Sequence, residues 1–170
     1  MRELMNMKKK IGVLLVFLLA SLSIAHARPT QTIHEFGTDS LATITAKQKG
    51  HTFVLVIWSL DCEYCQSSLA TLSREKREHP DLRVVTLSTD SLADKQTAIQ
   101  IKKKLASLGL TANAWAFGDA PPEQLRYAID QKWHGEMPRS YWFDSGGAST
   151  AMSGEITSDK VEKMLAAERR

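Results

Sequence analysis

The stretch Phe53-Val54-Leu55-Val56-Ile57-Trp58-Ser59-Leu60-Asp61-Cys62-Glu63-Tyr64-Cys65 decides how this chain is read. Its first six residues are apolar without alternation and rich in β-branched types, the pattern of a strand covered on both faces. Beyond Cys62 the pattern becomes helical, with Cys65, Leu69 and Leu72 on one face before residues 74–78 turn polar. A buried central strand therefore runs into a helix at the two cysteines, and Cys62 stands at the helix N-terminus. The unsatisfied N–H groups and positive dipole end there stabilise a thiolate, the form of cysteine that attacks disulfides. Cys65 lies one turn deeper, where it is placed to resolve a mixed disulfide.

Downstream, His79-Pro80-Asp81 breaks the chain before a second strand over 82–87, which ends in the polar Ser88-Thr89-Asp90. The spacing of Ala98, Ile101, Leu105 and Leu108 predicts a helix over 91–108, stopped by Gly109, with Lys102, Lys103 and Lys104 mainly on its solvated side. A third strand is expected over 114–117. Pro121-Pro122-Glu123 then opens a helix whose stripe is Leu125, Ala128, Ile129 and Trp133, ended by Gly135. After Met137-Pro138, residues 140–143 and 149–152 form a hairpin across Gly146-Gly147, and a last helix begins at Ser158. Upstream, residues 31–50 read as a short extended piece and a short helix. Strands alternating with helices until a closing hairpin predict an α/β sheet with an antiparallel edge.

The first 27 residues are of another kind. Lys8, Lys9 and Lys10 precede an uncharged run over 11–24 and then Ala25-His26-Ala27, the three parts of a secretory signal. The run is shorter than the roughly 20 residues that span a bilayer, so cleavage after Ala27 is expected; an uncleaved signal would tether the protein to the membrane. Residues 28–170 then form one domain, and the protein is read as exported to the periplasm and monomeric. The formal charge of +3 belongs wholly to the leader, through Arg2, Lys8, Lys9 and Lys10 against Glu3. The remainder is neutral and offers no field to attract nucleic acid or anionic lipid.

Two cysteines in an exported protein suggest a structural bridge, but a loop this short contributes only about 2 kcal/mol by chain entropy. A domain of this length buries a core without such a staple. Zinc is disfavoured because one Cys-x-x-Cys is half a tetrahedral set, and His34, His51, His79 and His134 are scattered. No metal or other cofactor is implied by these residues, and no phosphate-binding loop or nucleophile elbow is present.

Phe53 to Ser59 as strand, Trp58 ahead of Cys62-Glu63-Tyr64-Cys65, Asp90 after the second strand and Met137-Pro138 before the next strand together resemble the thioredoxin superfamily, in particular its exported TlpA/ResA-like branch. The resemblance implies a thioredoxin-like fold: a central mixed sheet flanked by helices, with a strand-helix insertion over 114–133 before a cis-proline. It places Pro138 against the cysteine pair and makes Met137, Pro138 and Trp58 substrate-binding, since a client peptide can pair with the Met137 backbone as an added strand. It implies catalysis by Cys62 and Cys65, re-reduction by a membrane-delivered electron donor, and exported clients of the cytochrome c or copper-site assembly type.

There are departures from this pattern. Thioredoxin has a buried Asp six residues before its first active-site cysteine, where this chain has Val56; Glu136 and Glu63 are then the carboxylates at hand, either for proton transfer if close enough or, the preferred reading, as plain solvated acids. Asp61 and Glu63 flank Cys62 with negative charge, which disfavours its thiolate and points to a reductant. Two other functions fit less well: an oxidant that donates its disulfide, and a copper chaperone using Cys62 and Cys65 with Met137 or His134. Arg139 reads as a surface arginine.

Overall fold

The computed structural model describes residues 32–168, so the leader read over 1–27 lies outside the described residues. In chain order the elements are β1 (His34–Phe36), α1 (Ser40–Lys47), β2 (Phe53–Trp58), α2 (Glu63–Glu78), β3 (Arg83–Ser91), α3 (Lys95–Leu108), β4 (Ala114–Phe117), α4 (Pro122–Ile129), β5 (Arg139–Phe143), β6 (Ser149–Ser153) and α5 (Ser158–Glu168). The strands form one six-stranded sheet in the order β1-β4-β3-β2-β5-β6. The first four in that order are mutually parallel, β5 pairs antiparallel with β2, and β6 pairs antiparallel with β5. This is the expected mixed sheet, with the strand-helix pair β4–α4 inserted ahead of the proline.

All six residues of β2 are buried because the sheet is covered on both sides. Val54, Val56 and Trp58 face a core shared with Leu69 and Leu72 of α2, Ile101 and Leu105 of α3 and Val161 of α5. Phe53, Leu55 and Ile57 face the opposite core with Ile44 of α1 and Leu125 and Ile129 of α4. The period of two along the strand sorts the two sets, and each fully buried aliphatic side chain contributes about 1.5–3 kcal/mol. Among the described residues no helix is long and apolar enough to cross a membrane.

Three boundaries differ by more than one residue from the sequence reading. β3 continues to Ser91, which pairs with Phe117 across an irregularity in register, so α3 begins at Lys95 rather than at 91. Asp94 caps it, its carboxylate accepting from the Thr97 N–H at 2.6 Å, and Gly109 ends it at φ 68°. α4 stops at Ile129, and Trp133 is buried from the turn that follows. Nor is the end of α2 uniformly polar-exposed. Glu75 is only 2 % exposed and accepts hydrogen bonds from Ser158 on α5 and from Arg74.

Candidate active site

Cys62 and Cys65 are joined in a disulfide, S–S 2.02 Å, with Cα atoms 5.2 Å apart. Cys62 is the N-cap of α2, and its sulfur accepts from the Cys65 N–H at 3.2 Å. Cys65 is fully buried in the core that holds Trp58, Leu69 and Leu72, whereas Cys62 is partly exposed. The two sulfurs thus have different access to a partner, as expected of an attacking and a resolving thiol.

The turn between β2 and α2 is braced from two sides. The Leu60 N–H donates to Asp90 Oδ2 at 2.9 Å, and the Ser88 hydroxyl donates to the same oxygen at 2.7 Å. From α2, the Gln66 side-chain amide donates to the carbonyls of Ser59 and Leu60 at 3.1 and 3.2 Å. Asp90 thereby ties the end of β3 to the approach to Cys62. The sequence pattern gives Asp90 no role of its own and does not point to Gln66. A bond formed across thirty residues leaves no spacing signal in the sequence.

The Met137–Pro138 peptide bond is cis. Ile57 pairs with Arg139, which sets Pro138 beside the end of β2. Met137 packs against both cores, and Cys62 packs against the first of them. The Thr89 hydroxyl lies 3.7 Å from the Met137 sulfur. Pro138 is buried and Met137 partly exposed. Among the described residues, the peptide groups on either side are held: the Glu136 carbonyl accepts from Trp133 Nε1 at 2.9 Å and the Pro138 carbonyl from the Gly154 N–H at 2.9 Å. The N–H and C=O of Met137 itself make no such bond among those residues.

The remaining sequence-predicted residues are distributed differently. Trp58 is fully buried, and its indole N–H has no partner among the described residues. Val56, where thioredoxin has its buried acid, lies between Thr86 and Ser140 in register, and the Thr86 hydroxyl is likewise buried without a partner. Glu63 is exposed in the first turn of α2. Glu136 is exposed, but its carboxylate accepts from Arg139 at 3.1 Å and from the Ser153 hydroxyl at 2.8 Å. Desolvation pushes its pKa up, yet its own backbone N–H, the Ser153 hydroxyl and the Arg139 charge outweigh that and hold it below the usual glutamate value. A carboxylate held ionised in this way is a poor proton carrier near neutral pH. Arg139 is not a free surface arginine, for its side chain is only 14 % exposed and bonds Asp130, Glu136, Tyr141 and Ser153.

A dithiol–disulfide pair at the join of the central strand and a helix, beside a cis-proline, is the arrangement of a thiol-disulfide oxidoreductase of thioredoxin-like fold. The chain belongs to the thioredoxin-like domain family, whose model matches residues 40–168. No curated protein sequence matches it. Among solved structures, it is similar to a secreted Mycobacterium tuberculosis disulfide oxidoreductase homologous to E. coli DsbE, at 22% identity over 72% of this chain and 85% of that one, TM-score 0.53. A thiol:disulfide interchange protein DsbE of Chlorobium tepidum shares 21% identity over 72% and 83%, TM-score 0.54. A DsbF homologue of Corynebacterium diphtheriae shares 18% over 72% and 75%, TM-score 0.57. At these identities the likeness is one of fold.

Proposed function

We propose that this protein is an exported thiol-disulfide oxidoreductase that reduces disulfides of exported client proteins. The observation that carries the reading is the Cys62–Cys65 disulfide at the α2 N-terminus, with one partly exposed sulfur and one buried sulfur. In the reduced protein the Cys62 thiolate attacks a client disulfide, forming a mixed disulfide and releasing one client thiolate, which takes up a proton. Cys65, deprotonated, then attacks Cys62 and expels the second client thiol. Two electrons have passed to the client, and Cys62–Cys65 is the oxidised product.

Met137 and Pro138 serve as the docking edge in this reading. The unbonded Met137 peptide groups accept an extended client segment as an added strand, and buried Trp58 shares the core that holds Cys65. Asp61 and Glu63, both exposed beside Cys62, favour the disulfide form and so a reductant. Export rests on the leader at 1–27 and agrees with the description of one structural relative as secreted. In this reading the protein works in the periplasm, on clients of the cytochrome c or copper-site assembly type, and a membrane electron donor restores the dithiol.

The test is a trap combined with a potential. Cys65→Ser should accumulate a mixed disulfide with client proteins through Cys62, and Cys62→Ser should not. The couple of the unaltered protein should lie near or below about −220 mV. A value near about −120 mV would make it an oxidant instead, and the absence of any reversible couple would overturn the reading.

A further inference from the structure

Arg139 follows cis-Pro138 directly and forms the hub of a polar cluster at the base of the proline loop. Its Nη2 lies 3.1 Å from Asp130 Oδ2, its Nη1 3.1 Å from Glu136 Oε1 and 2.7 Å from the Ser153 hydroxyl, and its Nε 3.2 Å from the Tyr141 hydroxyl. The partners bond one another as well, Tyr141 donating to Asp130 at 2.9 Å and Ser153 to Glu136 at 2.8 Å. One guanidinium thus joins the end of α4 (Asp130), the residue before Met137 (Glu136), the middle of β5 (Tyr141) and the edge strand β6 (Ser153). Its planar fork of donors suits this role, which a lysine's single ammonium fills only in part.

We propose that Arg139 is a positioning residue that holds the backbone of Met137 in register for the client strand, an inference that rests on the function proposed above. Arg139 holds Glu136 on one side of Met137 through its carboxylate, and Trp133 independently holds the Glu136 carbonyl. On the other side Pro138 is fixed through Gly154 of the β6 end. Between these two held residues, the peptide groups of Met137 make no internal hydrogen bond among the described residues. Holding its neighbours still removes the ordering cost that a mobile loop would add each time a client docks. Arg139 touches neither sulfur, so its effect belongs to binding a peptide and not to the sulfur chemistry.

The experiment compares full-length Arg139→Met and Arg139→Lys with the unaltered protein on two substrates. One is a model peptide disulfide, which uses the backbone edge; the other is a small aromatic disulfide, which does not. For Arg139→Met, KM for the peptide should rise about tenfold, a loss of about 1.4 kcal/mol of binding. kcat, the rate with the small disulfide and the Cys62/Cys65 potential should stay unchanged, and Arg139→Lys should recover part of the loss. Should Arg139→Met fail to fold, Asp130→Asn, which removes one ionic partner, should show the same split in smaller measure. An unchanged peptide KM in these variants, or an equal loss on both substrates, would overturn the clamp. If the unaltered protein lacks a reversible couple, the functional reading fails instead, so the two failures are separable.

Discussion

Asp130 is held ionised by its neighbours against its own partial burial. Burial opposes the charge, but the Lys132 backbone N–H, the Tyr141 hydroxyl and the Arg139 guanidinium outweigh it, and the pKa falls below the usual aspartate value. Because the folded value is depressed, the resulting stability is present above the unfolded pKa of about 4 and is lost as pH falls through the folded value. Tyr141 is pushed up to about 12, first by burial, so it remains a neutral donor to Asp130 across the working range. The expected outcome is that Asp130→Asn is destabilised at neutral pH but loses less further stability on acidification than the unaltered protein. Urea midpoints followed between about pH 7 and pH 3 would show this, and parallel curves for the two proteins would contradict it. At this scale the sequence exposed what is local. Cys62, Cys65 and Pro138 stand in short motifs whose spacing carries the chemistry. The role of Arg139 is not legible there, because its partners come from the end of α4, the loop before Met137, β5 and β6, and Ser153 reaches it only through the β5–β6 register.

Helix α2 carries the disulfide at one end and docks the C-terminal helix at the other. Ser68 is fully buried on it; its hydroxyl donates to the Tyr64 carbonyl at 2.7 Å and accepts from the Ile156 N–H at 2.9 Å. This single oxygen satisfies a backbone donor just ahead of α5, and a buried donor left unpaired costs about 1–3 kcal/mol. Ser68→Ala should therefore destabilise the protein by about that amount in urea unfolding, leaving the Cys62/Cys65 potential within error. A shift in potential would mean that the docking of α5 is felt at the disulfide. Most elements could be read from apolar periodicity, and β4 falls at the residues expected. The β3–α3 junction could not, because polar Ser88, Thr89 and Asp90 read as the end of the strand and Ser91 as the start of the helix, whereas pairing with Phe117 beyond an irregularity keeps the strand going. Tertiary pairing there overrides local preference.

For the molecule as a whole, the question is whether the disulfide holds the fold together or only passes through it. The sheet is closed on both faces by separate cores, one under α2, α3 and α5 and the other under α1 and α4, and each runs across several strands. Neither depends on a covalent link. Cys65 contributes to its core as a small apolar side chain in either redox state. The bridge joins residues only three apart, so it removes little entropy from the unfolded chain, about 2 kcal/mol in the loop model. Whatever it adds to the folded state is also what sets the potential, since the stabilities of the oxidised and reduced forms are linked to the redox equilibrium through the same cycle. Reduction with excess dithiol should therefore leave far-UV circular dichroism unchanged and shift the urea unfolding free energy by no more than about 2 kcal/mol. Retention of a cooperative transition in the reduced protein would place the two sulfurs in the chemistry of exchange, with the fold as their support. Collapse of the transition on reduction would mean that the pair is a staple, and the catalytic reading would have to give way to a structural one.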